Sequence, residues 1–221
     1  MALATFNRNA IQAAAGQIFV VATPATLVGA TVALKVTELF ALFYTSGDSR
    51  SSLKGGVTPW AVLDKNGFKA KVVTKEIKND PNDGPEEVIG WESVSSNAEI
   101  TIYDVDVDHL KDILSATAAQ VLATASGAGV AGRSTLLAGG QRTPTDYCLL
   151  YRYPSKKYPG EFRNVLIPAC TLSLDGDTEY SKGKAIEAKI KVDAKAFSLL
   201  LDPSTNLPVV WLEDTVTAAA S

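Results

Sequence analysis

The residues whose spacing is closest to an acid–base or metal site lie in one short stretch of this chain. His109 is the only histidine among 221 residues, and it follows Asp104, Asp106 and Asp108. Alternating aspartates can begin a calcium loop, but that loop needs glycine at its sixth position and glutamate at its twelfth, where this chain has His109 and Ser115. The pattern instead predicts a helix capped by Asp106, with a negatively charged face. We expect His109 to be exposed or to take part in capping, and not to be catalytic.

Other side chains that could act as nucleophiles or ligands are not arranged for that chemistry. Cys148 and Cys170 lie in apolar, strand-like stretches, where a free thiol packs as a small hydrophobic group; a disulfide between them is the alternative. A catalytic triad or Cys–His pair would have to converge on His109. The glycine-rich run at 127–132 is not followed by Lys-Ser or Lys-Thr, so it does not predict a phosphate-binding loop. We expect a protein that is not an enzyme and that has no metal or cofactor.

Signals for a binding surface are also weak. The formal net charge of −3 and the pI of about 5.3 argue against a protein that binds nucleic acid over its whole surface. Lys156 and Lys157 lie between tyrosines, a pattern that could contact nucleic acid. Two lysines at a hairpin tip are more often present for solubility. A stacking platform for carbohydrate is a further alternative, although scattered tryptophans are more often core residues. The three tryptophans are Trp60, Trp91 and Trp211.

The clearest elements are a strand and a helix that follow each other between residues 97 and 122. Isoleucines alternate with polar residues at 99–103, which is the period-two pattern of a strand with one buried face. Apolar residues then recur at helical spacing from Val107 to Leu122, after Asp106 at the N-cap position. The stretch therefore predicts a half-buried strand that leads into a single amphipathic helix.

Most of the remaining chain is predicted to be strand. The stretch Thr31–Tyr44 is the longest apolar candidate, and its β-branched and aromatic content favours a strand over a helix. Asn66-Gly67 supplies the positive φ of a tight turn, so a hairpin is predicted between 57–63 and 67–77. Further strands are predicted at 17–22, 88–94, 146–153, 162–174, 184–194 and 209–212.

The segments between these strands are polar or rich in small residues. A flexible loop is predicted at 44–56, a second polar loop at 79–87 and an Ala/Gly-rich connection at 124–140. Residues 1–15 are predicted to form an extended N-terminal arm. The uncharged run Asn9–Leu34 is interrupted by polar residues, and the lone Arg8 makes a poor start for a signal peptide. We expect a soluble protein made without export, with no membrane partner.

These elements predict one domain spanning residues 1–221, because neither an internal repeat nor a linker divides the chain. About ten strands and one helix favour a mainly β fold of the α+β type, an antiparallel sandwich or barrel with the helix packed on it.

The order of these elements resembles the tail tube proteins of tailed bacteriophages. The resemblance is carried by the strand-to-helix stretch at 98–114, the Gly-rich connection, the strand pair in DYCLLYRYPSKKYPGEFRNVLIPACTL and the charge-alternating KAIEAKIKVDAKAF. In that family a strand pair carries a polar tip, its second strand ends near a proline, and a strand with alternating charges follows. The resemblance covers residues 15 to 212.

The resemblance implies a structural virion protein whose subunits form hexameric rings that stack into a tube, the conduit for genomic DNA during ejection. The sheets would be completed across subunits, which removes exposed strand edges. Its partners would be copies of itself, other phage tail proteins, and double-stranded DNA that passes through without specific binding. Such a protein would be assembled in the host cytoplasm and located in the phage tail.

The resemblance also suggests which residues lie at contacts. The loop at 44–56 occupies the position of the family's subunit-bridging loop, with Asp48 and Arg50 as candidate ion-pair partners. The expected subunit or ring interface residues are Tyr44, Ser46, Gly47, Asp48, Arg50 and Leu53. Two polar strand faces are candidates for the lumen wall. One comprises Lys35 and Thr37, and the other comprises Glu99, Thr101 and Tyr103. The N-terminal arm is expected to pack on a neighbouring subunit.

Two other functions remain open from the sequence. A capsid decoration protein or tail terminator would use similar strands but would assemble as a single ring or trimer. A secreted carbohydrate- or surface-binding sandwich would need the tryptophan platform.

Overall fold

The structure, a computed structural model, describes residues 16–79, 87–103, 105–116, 121–124, 132–155, 161–176 and 187–215. Its helices are α1 (Val32–Phe40) and α2 (Val107–Ile113). Its strands are β1 (Gln17–Ala22), β2 (Val62–Asn79), β3 (Glu87–Tyr103), β4 (Val121–Thr124), β5 (Arg133–Leu136), β6 (Tyr147–Pro154), β7 (Phe162–Leu174), β8 (Glu187–Ala194), β9 (Phe197–Leu201), β10 (Pro208–Val209) and β11 (Leu212–Asp214).

One antiparallel sheet organises the molecule. Six strands lie in the order β1-β6-β7-β8-β3-β2, and β11 joins as a seventh by pairing with β7. The sheet curls into a half-barrel, so the predicted mainly β, antiparallel class is confirmed. The two edge strands approach each other at one end, where Ile18 forms a bridge with Ala61 and its carbonyl accepts a hydrogen bond from the Trp60 N–H at 2.8 Å.

The first face of this sheet is apolar across nearly its whole width. Its buried side chains come from alternate positions of the strands, as the period of two requires, and α2 packs on them through Ile113. The buried strand residues include Ile18, Ile100, Ile102, Leu149, Ile167, Leu172, Ile190 and Val192. Complete burial of a side chain of this size stabilises the fold by about 1.5–3 kcal/mol.

The second face is apolar only over β1, β6 and the first part of β7. There Phe19, Leu150 and Leu166 pack against Phe40 of α1, against Phe43 and against residues of β9. Over β8, and over the side chains of β3 and β2 that the structure describes, the second face carries mainly polar residues and is exposed. Helix α1 therefore covers the half of this face that water would otherwise reach.

The prediction of a strand at Thr31–Tyr44 is wrong, because this stretch contains α1. The Thr31 hydroxyl accepts a hydrogen bond from the Leu34 N–H at 3.3 Å and caps the helix. Buried or half-buried residues then recur at positions 36, 39, 40 and 43, which is helical spacing. Packing of this stripe on the second face outweighs the β propensity of the individual residues.

The helix predicted after Asp106 is confirmed at its start but is shorter than predicted. It ends at Ile113, and Ser115 has a φ of +50°, a left-handed conformation that a continuing helix cannot contain. Residues 121–124 form β4, which pairs with β5. The prediction of helix as far as Leu122 is therefore wrong.

The hairpin predicted across Asn66-Gly67 is also wrong. β2 runs without reversal from Val62 to Asn79, and its pairing with β3 shifts register between Leu63 and Phe68. Gly67 has a φ of +59°, so the glycine serves a bulge and not a turn. The strand predicted at 209–212 is divided between β10 and β11.

Several expectations lie outside the described residues in whole or in part. They are the N-terminal arm at 1–15, the loop at 80–86, residues 125–131 of the Ala/Gly-rich connection, the lysine pair at 156–157 and Asp104. Neither α1 nor α2, the helices of the described residues, is long and apolar enough to cross a membrane.

Four stacked aromatic rings join distant strands at one end of the sheet. The ring centroids of Trp211 and Phe68 are 6.4 Å apart, those of Phe68 and Tyr151 4.7 Å, and those of Tyr151 and Tyr153 5.4 Å. Neighbouring rings are within 20–28° of parallel. This aromatic column connects β2, at one edge of the sheet, to β6, next to the other edge.

We predict that Phe68→Ala lowers the free energy of unfolding by about 2 kcal/mol, because it removes the ring that bridges β2 and β6. The melting temperature should fall by about 4–8 °C in differential scanning calorimetry. Lys69→Ala is the matched control, since the neighbouring side chain is exposed and has no hydrogen bond or ion pair within the described residues. Equal losses in the two variants would contradict a role for the column in closing the sheet.

Candidate assembly site

His109 has a structural role in the cap of α2. Its Nδ1 accepts a hydrogen bond from the Asp106 N–H at 3.2 Å, and its Nε2 lies 2.6 Å from the Trp60 carbonyl, which can only accept. The Asp106 carboxylate accepts in turn from the N–H groups of Asp108 and His109, both at 2.9 Å. This capping box confirms the capping prediction, and the exposed alternative is wrong because His109 is buried.

The two cysteines are free and buried, and they lie on opposite faces of the sheet. Cys170 belongs to the core of the first face and Cys148 to the core of the second, so the alternative of a disulfide between them is wrong. Burial raises the pKa of both thiols, that of Cys170 to about 12. Neither thiol is activated as a nucleophile. No group of histidine, cysteine or carboxylate side chains in the described part of the chain could hold a metal ion.

The loop expected to bridge subunits is compact. A bridge between Tyr44 and Leu53 closes it, and the Thr45 N–H donates to the Ser52 carbonyl at 3.0 Å. Inside the loop, the Arg50 N–H donates to the Ser46 carbonyl at 3.2 Å. We call residues 44–53 the closed loop. The prediction of a flexible loop that contributes nothing to a core is wrong for this segment, since its own hydrogen bonds close it and Leu53 packs against the core of the second face.

The closed loop is attached to α1 of its own chain. Gly47 lies so close to the Thr37 carbonyl that a Cβ atom would be 1.9 Å from that oxygen, so only glycine fits there. The Thr37 hydroxyl donates to the Asp48 carboxylate at 2.9 Å. Arg50 Nε donates to the Gly47 carbonyl at 2.8 Å, and its guanidinium lies 4.0 Å from the centre of the Phe40 ring.

A chain of polar contacts then connects the closed loop to β7 and β11. Arg50 forms an ion pair with Asp214, whose other carboxylate oxygen accepts from the Asn164 side-chain amide at 3.0 Å. The Tyr44 hydroxyl donates to the Asn164 side-chain oxygen at 2.5 Å. Asp48 and Arg50, the two expected ion-pair partners of a neighbouring subunit, are therefore both engaged within their own chain.

Arg152 adds a buried positive charge beside this polar chain. Its guanidinium lies 3.6 Å from the centre of the Phe162 ring and 5.8 Å from that of Tyr44, and its Nε has no hydrogen-bond partner in the described structure. Burial lowers the pKa of Arg152. Burial also raises the pKa of Tyr44 to about 12, although the charge of Arg152 opposes that rise. Tyr44 therefore remains a hydrogen-bond donor at neutral pH.

The structure separates the two sets of residues expected to line a lumen. Glu99, Thr101 and Tyr103 lie on the second face, opposite the buried Ile100 and Ile102, as the alternation predicts; Glu99 is exposed, and Thr101 and Tyr103 are half exposed. Lys35 and Thr37 lie on α1 and not on a strand, so the polar strand face expected there does not exist. Lys35 Nζ donates to the Leu199 carbonyl at 2.9 Å.

The exposed half of the second face carries rows of alternating charge, and we call it the polar face. In one row Lys69, Glu99 and Lys191 lie side by side on β2, β3 and β8, and in the next Lys71, Asn97 and Asp193 do. Lys191 Nζ is 2.9 Å from the Asp193 carboxylate, a hydrogen bond that raises the pKa of this exposed lysine. A depression of about 370 Å³ lies over these rows.

Asn164, Asp214 and Arg152 are absent from the sequence-based set of interface residues. Arg50 and Asp214 are 164 positions apart, and only the pairing of β11 with β7 brings Asp214 beside Asn164. The sequence offers one signal, since an arginine and an asparagine inside otherwise apolar strands are expected to be paired when buried.

Comparison with known proteins adds no identification. No protein-family model matches this sequence, and no curated protein matches it either.

We predict that Asp214→Asn weakens the attachment of the closed loop, because the neutral amide no longer neutralises Arg50. Unfolding should become easier by about 2 kcal/mol. Limited trypsin digestion should cleave after Arg50 faster than in the unchanged protein. Glu213→Gln is the control, since it removes only the exposed pair with Arg163. Cleavage at the same rate in all three proteins would show that Asp214 does not hold the loop.

We predict that Tyr44→Phe destabilises the protein by about 1–3 kcal/mol, because the Asn164 oxygen loses its buried donor. The raised pKa of Tyr44 stabilises the folded state fully below pH 10, and this contribution is lost as the pH rises from 10 towards 12. Urea unfolding at pH 9, 10 and 11 should therefore show a shallower decline for Tyr44→Phe than for the unchanged protein. Parallel declines would contradict the assignment.

Proposed function

We propose that this protein is a structural protomer of the tail tube of a tailed bacteriophage. Copies would form hexameric rings that stack into a hollow tube, and double-stranded DNA would pass through it during ejection. The protein would act without catalysis, metal or cofactor, and its partners would be its own copies and other tail proteins.

The observation that carries this proposal is the open edge of the curled sheet. β2 has 18 residues and pairs on one side only, with β3, within the described residues. β3 pairs with β8 only over Asn97–Tyr103, so the remainder of β2 and β3 extends beyond the sheet as a two-stranded arm. Such a ribbon is marginally stable alone, and a long unpaired edge is a template for another strand. A neighbouring copy would satisfy both requirements.

The charge of the polar face is compatible with a DNA conduit. Among the side chains of the polar face that the structure describes, four lysines and four carboxylates balance in formal charge: Lys69, Lys71, Lys189 and Lys191 with Glu99, Asp175, Glu187 and Asp193. Duplex DNA carries one charge per roughly 1.7 Å, and a predominantly basic wall would hold it through counterion release. A neutral wall would let DNA move, so we propose that Glu99, Thr101 and Tyr103 belong to the lumen wall.

The closed loop would present its tip to a neighbouring subunit or ring. Ser49 and Ser51 at this tip are exposed, whereas the residues that hold the loop face its own chain. A loop that is already ordered would lose little conformational entropy when it docks.

The alternatives have less support. Trp60 and Trp211 pack against side chains of their own chain, Trp60 at His109 and Trp211 at Phe68, so their rings do not form a common platform. A decoration protein or tail terminator differs from a tube protomer in its assembly, and the experiment below separates them.

Negative-stain electron microscopy of the purified protein, over a series of concentrations, tests the proposal. We expect hollow filaments built from stacked six-fold rings. Single rings or trimers that never stack would favour a terminator or decoration protein, and a strict monomer at the highest concentration would overturn the proposal.

We predict that Ser51→Trp abolishes stacking while the melting temperature of the monomer changes by less than about 2 °C, because the new ring projects from the exposed loop tip. Ser204→Trp, at the exposed turn before β10, is the control and should form normal filaments. Normal filaments from Ser51→Trp would remove the loop from the interface while leaving the tube proposal intact.

A further inference from the structure

The outer edge of β1 presents backbone groups that have no partner in the part of the chain that the structure describes. The Thr23 N–H points towards β6, where it donates to the Asp146 carbonyl at 3.0 Å, whereas the Ile18 carbonyl points away from β6, towards Trp60. Because the direction alternates along a strand, Val20 and Ala22 also direct their N–H and C=O groups away from β6. Within the described residues, no hydrogen bond reaches these groups from that side.

A groove of about 350 Å³ lies along this edge. Val20, Val57, Pro59 and Trp60 give it apolar walls. Asp106, Asp108 and Asp112 also line it, and the first two are largely exposed, at 61% and 79%. An extended segment placed here could pair with the free backbone groups of β1, beside a negatively charged rim.

The opposite edge of the same sheet has the complementary charge. Residues 69–79 of β2 contain four lysines and one glutamate, a formal charge of +3. Lys69 and Lys71 are exposed and have no ion pair or hydrogen bond within the described residues. Lysines on an edge strand often oppose pairing with other strands. An acidic rim at the other edge would attract these lysines, so the two edges would pair selectively with each other.

We propose that the β2 edge of one copy adds as a strand to the β1 edge of the next copy, in the groove beside Asp106, Asp108 and Asp112. The contact is head-to-tail, because one copy supplies β2 and the other supplies β1, and a head-to-tail contact that closes gives a ring. This inference rests on the proposed function and specifies which two edges form the seam. The partner of the β1 edge is thus a second copy of this chain.

Cross-linking between single-cysteine variants tests the pairing. Ala22→Cys is mixed with Lys69→Cys or Lys71→Cys under assembly conditions and treated with a short bismaleimide, while Cys148 and Cys170 remain buried. We expect heterotypic dimers from at least one mixture and none from Ala22→Cys alone. Ser204→Cys mixed with Lys71→Cys is the control and should not react.

Failure of this inference can be distinguished from failure of the proposed function. Tubes that yield Lys71–Lys71 dimers, or no Ala22 cross-link, would overturn the β1–β2 seam and leave the tube intact. A wild-type protein that never assembles would overturn the proposed function. If the cysteine variants of such a protein also gave no heterotypic dimers at the highest soluble concentration, the β1–β2 seam would be overturned as well.

A substitution provides an independent measurement. Ala22→Pro removes an N–H that no group among the described residues accepts, and it should raise the critical concentration for assembly about tenfold or more. Ala22→Ser keeps that N–H and should assemble normally. Equal critical concentrations, with unchanged monomer melting temperatures, would contradict strand addition at this edge.

Discussion

The constraint that governs this molecule is that one sheet is apolar on both faces over half of its width and on one face over the other half. Every strand has two sides, so β1, β6 and β7 need a second layer, whereas β8, β3 and β2 do not. Helix α1 and β9 supply that layer. The remaining half is left bare, and its alternating charges follow directly from this asymmetry.

The buried polar chain is a consequence of the same layering. To reach the second face, the polypeptide turns at Tyr44 and meets β7 at Asn164, both deep in the core. A hydroxyl and an amide removed from water cost free energy unless they bond to each other. Asp214 links Asn164 to Arg50. The need to pair buried polar groups in the core therefore fixes the conformation of the closed loop at the surface.

The sequence predicts the elements whose pattern is local and strong. β8 agrees with the alternation of apolar and polar residues, and the cap at Asp106 agrees with its side-chain chemistry. β1, β6 and β7 agree with a different signal, a largely apolar run of strand length, which is typical of strands buried on both faces.

The remaining elements could not be predicted because they depend on contacts between distant residues. α1 contains residues that favour strands. It is helical because its apolar stripe packs on the apolar second face, a contact that the local sequence does not reveal. Asn66-Gly67 is chemically suited to either a turn or a bulge, and pairing with β3 decides between them. At the candidate site, the sequence identified the loop but not its partner Asp214, since that contact needs the register of β11.

The aromatic column makes the curvature of the sheet accessible to spectroscopy. Trp211 stacks on Phe68 at one edge of the sheet, and Tyr151 and Tyr153 lie next to the other edge. Flattening of the sheet would increase the distance between these rings, because they lie on strands at opposite sides of the curl. Indole emission and near-ultraviolet circular dichroism therefore register a change in curvature in real time, without an attached dye.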